Sequence, residues 1–210
     1  MVALILFLWL PCLVGCQTTY YAFWEKLGKE KRHLFKDNVE KVRSEQQKAS
    51  EEFKDALTRV KEIYGFKGGD LEEFYERLRD DYEACERRAA SVRERIEMVE
   101  RIAADLFKEW EEEIGEMGNA KLKSNSRQSL QSTRKRYARL SRAMTKAESR
   151  MEPTLRHLRD YVLYLKHNLN AQAIGVLQKE VNDIEIEVEA LVKDMTKSIS
   201  EADEFLKTLK

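Results

Sequence analysis

IGVLQKEVNDIEIEVEALVKDMTKSISEADEFL, residues 174–206, decides the fold class. Within it Ile174, Leu177, Val181, Ile184, Val188, Leu191, Met195, Ile199, Ala202 and then Phe205 or Leu206 recur every three or four residues. That spacing gathers the apolar groups on one stripe of a helix and leaves the charged residues between them to solvent. Alternating threes and fours make the seam of supercoiled helices, which bury such stripes against one another.

The same pattern runs upstream. A third-helix seam reads Leu130, Thr133, Tyr137, Leu140, Met144, Ala147, Met151, Leu155, Leu158, Val162, Leu165 and Leu169, entered through the polar stretch Lys121–Ser132. Two fours in succession near Pro153 make a stutter that unwinds the supercoil, and proline is the natural place for a kink. Asn168 and Asn170 suggest a tight turn, with a continuous helix through them as the alternative. A second-helix seam reads Leu71, Phe74, Leu78, Tyr82, Cys85, Ala89, Val92, Ile96, Val99, Ala103, Leu106 and Trp110, ended by Gly115, Gly118 and Asn119. The first seam is Phe35, Val39, Val42, Gln46, Ala49, Phe53, Ala56, Val60 and Ile63; Gly65, Gly68 and Gly69 stop it, and Asp70 with Glu73 restarts the next helix as a capping pair. No alternating strand pattern competes. The reading is all-α: an elongated antiparallel bundle of about four long helices over residues 35–210, each about 60–70 Å long at 1.5 Å per residue.

Composition agrees. Of 210 residues 36% are charged and 42% hydrophobic, with only 8 Gly and 2 Pro, too little punctuation for sheets and loops. Lys+Arg and Asp+Glu both number 38, so no net charge draws the chain to nucleic acid.

The first residues are a different material. Met1 to Gly15 carry no charged side chain, Val2–Leu10 is apolar, and Leu13-Val14-Gly15-Cys16 follows Pro11. The run is too short to span a bilayer as a helix, which takes about 20 apolar residues, and reads as a secretory signal over residues 1–15. The Leu-Val-Gly-Cys string resembles a bacterial lipobox. That resemblance implies cleavage before Cys16, diacylation of its thiol and acylation of the new amino terminus. Residues 16–34 would then be the lipidated start of the first helix, anchored firmly because further chains add about 0.8 kcal/mol per buried methylene. The basic residue that usually precedes such a run is missing, which points to a start upstream of Met1. Gln17 in place of the Asp of inner-membrane lipoproteins favours the outer membrane, periplasmic face. Cys12 would leave with the signal, and Cys85, on a seam, reads as a small core residue.

Several strings together resemble the DUF2959 family of Gram-negative envelope lipoproteins. They are Cys16-Gln17 with Tyr20-Tyr21, Gly68-Gly69-Asp70-Leu71, Phe107-Lys108-Glu109-Trp110-Glu111, and the run from Met151-Glu152-Pro153 through Leu158-Arg159-Asp160 to Leu165-Lys166-His167-Asn168-Leu169-Asn170-Ala171. The resemblance covers the chain beyond Cys16 and implies a helical, lipid-anchored envelope protein. It brings no activity, cofactor or catalytic residue.

Chemistry is thin. A di-metal carboxylate bundle needs paired Glu-x-x-His motifs; only Glu30-Lys31-Arg32-His33 fits, and His157 and His167 lack the glutamate three residues before. Gly65–Gly69 lacks the Gly-Lys-Ser/Thr ending of a phosphate loop. We therefore expect no enzyme, metal, cofactor, small-molecule substrate or nucleic acid.

Two features rise above this background. Tyr20, Tyr21, Phe23 and Trp24 closely follow the anchor and suit either the membrane–water interface or the first core layer. Between Met117 and Ala147 there is no acid, whereas Lys121, Lys123, Arg127, Arg134, Lys135, Arg136, Arg139, Arg142 and Lys146 are basic. Either neighbouring acidic faces neutralise this run, or Arg134, Lys135, Arg136, Arg139 and Arg142 face an anionic ligand, lipid headgroups or cell-wall polymer. In an up-down bundle the third helix starts near the bilayer, where each base is worth about 1 kcal/mol. The expected role is a non-enzymatic structural or interaction module of the envelope, with the membrane and an envelope protein or a second copy as partners.

Overall fold

A computed structural model describes residues 31–66 and 70–209. Four helices fill them: α1 (Lys31–Lys61), α2 (Leu71–Glu116), α3 (Ala120–His167) and α4 (Ala171–Lys207). A 3-10 turn, Glu62–Gly65, closes α1, and no strand occurs among the described residues. Each helix packs on two neighbours, α1 on α2 and α4, α3 on α2 and α4, so four seams close around one core. Chain direction alternates. Lys31 pairs with Glu109 at one end of the α1–α2 contact, and Arg59 pairs with Asp81 near the other.

Short polar side chains start three of the helices. Asp70 Oδ1 accepts the N–H groups of Glu72 and Glu73, Asn119 Oδ1 those of Lys121 and Leu122, and Asn170 Oδ1 that of Ala173. Each satisfies donors that a helix start leaves without an internal partner. Asn119 is therefore the cap of α3 rather than the end of α2, and Gly115 lies inside α2. The tight turn at Asn168–Asn170 is present: Asn168 ends α3, donating from its backbone N–H to the Leu165 carbonyl. Pro153 lies inside α3, which continues as one helix on both sides of it.

All nine positions of the first seam, Gln46 included, are buried. In the second seam Leu71 and Tyr82 are half-buried, and the stripe itself departs at the end. Ile102, Phe107 and Ile114 are buried, while Leu106 and Trp110 are only half-buried. Val99, Ala103 and Phe107 lie four apart, so the stripe drifts round the helix and Phe107 takes the inward place. On α4, Ser198 is fully buried and Ile199 half-buried; Leu169, the last residue of the third seam, is exposed in the turn. Cys85 is buried in the core, and burial pushes its thiol far above the ordinary range. A protonated, enclosed thiol is inert, which fits the core reading.

Candidate functional site

The end of the bundle that holds Lys31, the start of α3 and the end of α4 carries most of what could act on another molecule. Phe35, Phe107, Tyr137 and Phe205, one ring from each helix, meet there in mostly edge-to-face contacts. Beyond this layer α2 and α3 continue together as a hairpin tip. Trp110 Nε1 donates to Ser126 Oγ at 2.9 Å, and Lys123 Nζ to the Gly115 carbonyl at 2.8 Å. The polar stretch 121–132, read from sequence as a lead-in, is helical throughout and belongs to this tip.

The five basic residues singled out on α3 do not form one surface. Lys135, Arg139 and Arg142, at i, i+4 and i+7, share a helix face. Arg139 reaches Glu201 of α4 at 3.7 Å, and Lys135 and Arg142 are exposed. Arg134 turns to α2, bonding Glu111 at 2.7 Å and the Phe107 carbonyl at 3.3 Å, with its guanidinium 5.7 Å from the Phe107 ring centre. Arg136 points the other way, into a cleft, and its Nε is buried without a partner. Neighbouring acids thus neutralise Arg134, Arg139 and Lys146, but not Lys135 or Arg142. At the tip, Lys121 and Arg127 are likewise exposed, with no acid on their own helix before Glu148.

The cleft measures about 1210 Å³ and lies beside Lys31, the first described residue of α1, between the α2–α3 tip and the end of α4. Leu106, Trp110 and Leu209 give it apolar wall, and Lys31, Arg136 and Glu113 give it charge.

One polar cluster had no sequence signal beyond an acid close to a seam. Asp194 of α4 is buried, accepting a 2.6 Å bond from Lys146 and another from Arg150, both on α3. Burial pushes the Asp194 carboxyl up, but these hydrogen bonds and charges outweigh it, and its pKa lies below the ordinary value. Gln46 and Ser198 form a second buried polar pair of positions; neither side chain has a hydrogen-bond partner. The ion pair of Arg43 with Asp203 puts them at similar heights on α1 and α4.

His157 is exposed, with Nδ1 at 2.9 Å from Glu187, and His33 and His167 are exposed as well. Among the described residues no three or more His, Cys, Asp or Glu converge on a possible metal position. No described helix is long and apolar enough to cross a membrane. Cys16, Tyr20, Tyr21 and Trp24 lie outside the described residues, as do Gly68 and Gly69.

Compared with known families, residues 20–209 match the one described as "Protein of unknown function (DUF2959)". No curated protein and no solved structure matches the chain.

Proposed function

We propose that this chain, which belongs to the DUF2959 family, is a non-enzymatic helical rod of the bacterial envelope. It is anchored by acyl chains on Cys16 and projects into the periplasm as a structural or protein-interaction module. One observation carries this reading: the first described residue of α1 and the acid-free start of α3 lie at the same end of the bundle. Lys31 is 3.0 Å from Glu109, on the last two turns of α2 that pack against Ser126 of α3. A chain tethered at Cys16 would therefore turn its basic tip, with Lys121, Lys123 and Arg127, to the anionic surface. The opposite end, with the 3-10 turn and the Asn168–Asn170 turn, would be held away from it.

Cys16→Ser tests the anchor. The variant should move from the membrane to the soluble fraction of fractionated cells; if it stays with the membrane, the acyl anchor is wrong.

The unneutralised bases favour a second reading, a binding module for anionic headgroups or cell-wall polymer. Flotation with anionic vesicles separates the two. In the Cys16→Ser background, reversing Lys121, Arg127, Lys135 and Arg142 to Glu should abolish vesicle binding on this second reading. On the purely structural reading the reversal changes nothing.

A further inference from the structure

We infer that the flank where α3 runs beside α4 is a contact surface for a second copy of this chain, packed antiparallel about a two-fold axis at the level of Pro153 and Ala190. The surface rests on the interaction-module reading above and gives that module its partner.

Charge is laid out unevenly along this groove. The pairs Arg139–Glu201, Lys146–Asp194 and His157–Glu187 mark in order the line where the two helices meet. At about 100° per residue, the α3 positions from Lys135 through Arg139, Arg142, Lys146 and Arg150 to His157 and Asp160 fall within about 80° of one another. They therefore share that flank, which is cationic as far as Arg150. Toward the other end Glu180, Asp183 and Glu187 of α4 all act electrostatically on the hydroxyl of Tyr161. One half of the groove is basic and the other acidic.

Both halves keep charges that the bundle does not meet. Among the described residues Lys135, Arg142 and Lys197 pair with no carboxylate, Asp160, Glu180 and Asp183 pair with no cation, and all six are exposed. Lys197 and Asp183 stand fourteen residues apart on α4, about 21 Å, too far to meet within one chain.

Their spacing is symmetric. Pro153 and Ala190 stand level, since Arg150 reaches Asp194 on one side of them and His157 reaches Glu187 on the other. Lys146 and Asp160 each lie seven residues from Pro153, and Lys197 and Asp183 each lie seven from Ala190. A two-fold axis across the groove at this level sets α3 on α3 and α4 on α4, running in opposite directions. Lys146 then meets Asp160 of the second copy, Lys197 meets Asp183, and Arg142 comes level with Tyr164. Arg150 and His157 face each other near the axis, each held by its own acid. A parallel pair would instead set Lys146 on Lys146 and Asp183 on Asp183, so charge decides the direction. The short, half-buried side chains of Pro153 and Ala190 leave the helices room to approach. Such a pair carries a basic tip at each end, so one can face a bilayer while the other points away.

Sedimentation equilibrium of the full chain carrying Cys16→Ser should show a dimer that loosens as salt rises. Asp183→Lys or Lys197→Asp alone should weaken it about tenfold or more, because symmetry makes each change act twice. The two together should restore it. A monomer at high concentration overturns the proposal, as does a dimer that neither change weakens or that the double variant fails to restore. A monomer that binds polyphosphate, and loses it in Lys135→Glu with Arg142→Glu, also overturns it and assigns the basic half to an anionic polymer. Ala190→Cys checks the axis: mild oxidation should link two copies far more than in the parent, and failure to link refutes the packing. Release of Cys16→Ser from the membrane tests the anchor separately and is untouched by these results.

Discussion

At the level of Phe35 every helix contributes an aromatic ring, and the centroids lie 5.5–6.3 Å apart. A few turns along, the α2–α3 tip is joined by the Trp110–Ser126 and Lys123–Gly115 hydrogen bonds, and Leu122 is 60% exposed. The two regions have the same helical backbone and similar charge density. Among the described residues they differ in how many neighbours surround each helix. Where four helices meet, the rings of Phe35, Phe107 and Phe205 are buried, and Arg139 and Lys146 of α3 find acids of α4 while Arg142 stays exposed. Among the described residues only α2 and α3 meet at the tip, where Leu122, Lys121 and Arg127 are exposed. Burial thus follows the cross-section, whereas neutralisation depends on whether an acid of a neighbouring helix stands at the height of the base.

The contrast can be broken at its strongest point first. Phe35→Ala removes the ring that touches Phe107, Tyr137 and Phe205 together, and should cost about 3–5 kcal/mol in urea unfolding followed by circular dichroism. A loss below about 1 kcal/mol would mean the aromatic layer does not close the bundle.

Next in size is the buried acid. Asp194→Asn weakens the two charge-assisted bonds from Lys146 and Arg150 and should cost about 1–3 kcal/mol at neutral pH. The folded carboxyl has a lower pKa than the unfolded one. Its contribution is therefore complete above the ordinary value of 3.8 and is lost as pH falls through the folded value. Melting curves between pH 2 and 7 should show a steeper acid decline in the parent than in Asp194→Asn. Parallel declines would place the acid sensitivity in other carboxylates.

The smallest expected effect has the opposite sign. Gln46→Leu exchanges a buried amide with no partner for an apolar group of similar volume, and should raise stability by about 1 kcal/mol. A destabilised variant would show that the amide is satisfied in solution, by water or by Ser198, and that the polar level helps the four-helix section.

How far the sequence reads true follows the same division. Along α1 every seam position is buried, because α1 is flanked by α2 and α4 for its whole described length. On α2 the heptad follows the buried stripe to Ala103, apart from the half-buried Leu71 and Tyr82, and then misplaces it, taking Leu106 where Phe107 packs inward. Near Met195 both Ser198 and Ile199 lie at permitted spacing, and the neighbouring helices decide for the serine. The acid-free run from Met117 to Ala147 is plain in the sequence, but its division into neutralised and free bases is not. Arg134 and Arg136, two residues apart, turn to opposite flanks of α3, one to Glu111 and one to the cleft.

By itself, then, the sequence determined the all-helical class, the number of long helices, the family, and nearly every core position. These follow from periodicity and capping, which act within a few residues along the chain. The tertiary structure alone decided which helices are neighbours, where a stutter rotates the stripe, which of the α3 bases meet an acid, and that Asp194 is held by two cations. Those outcomes depend on side chains far apart in sequence that share a height in the bundle, and no local pattern encodes that height.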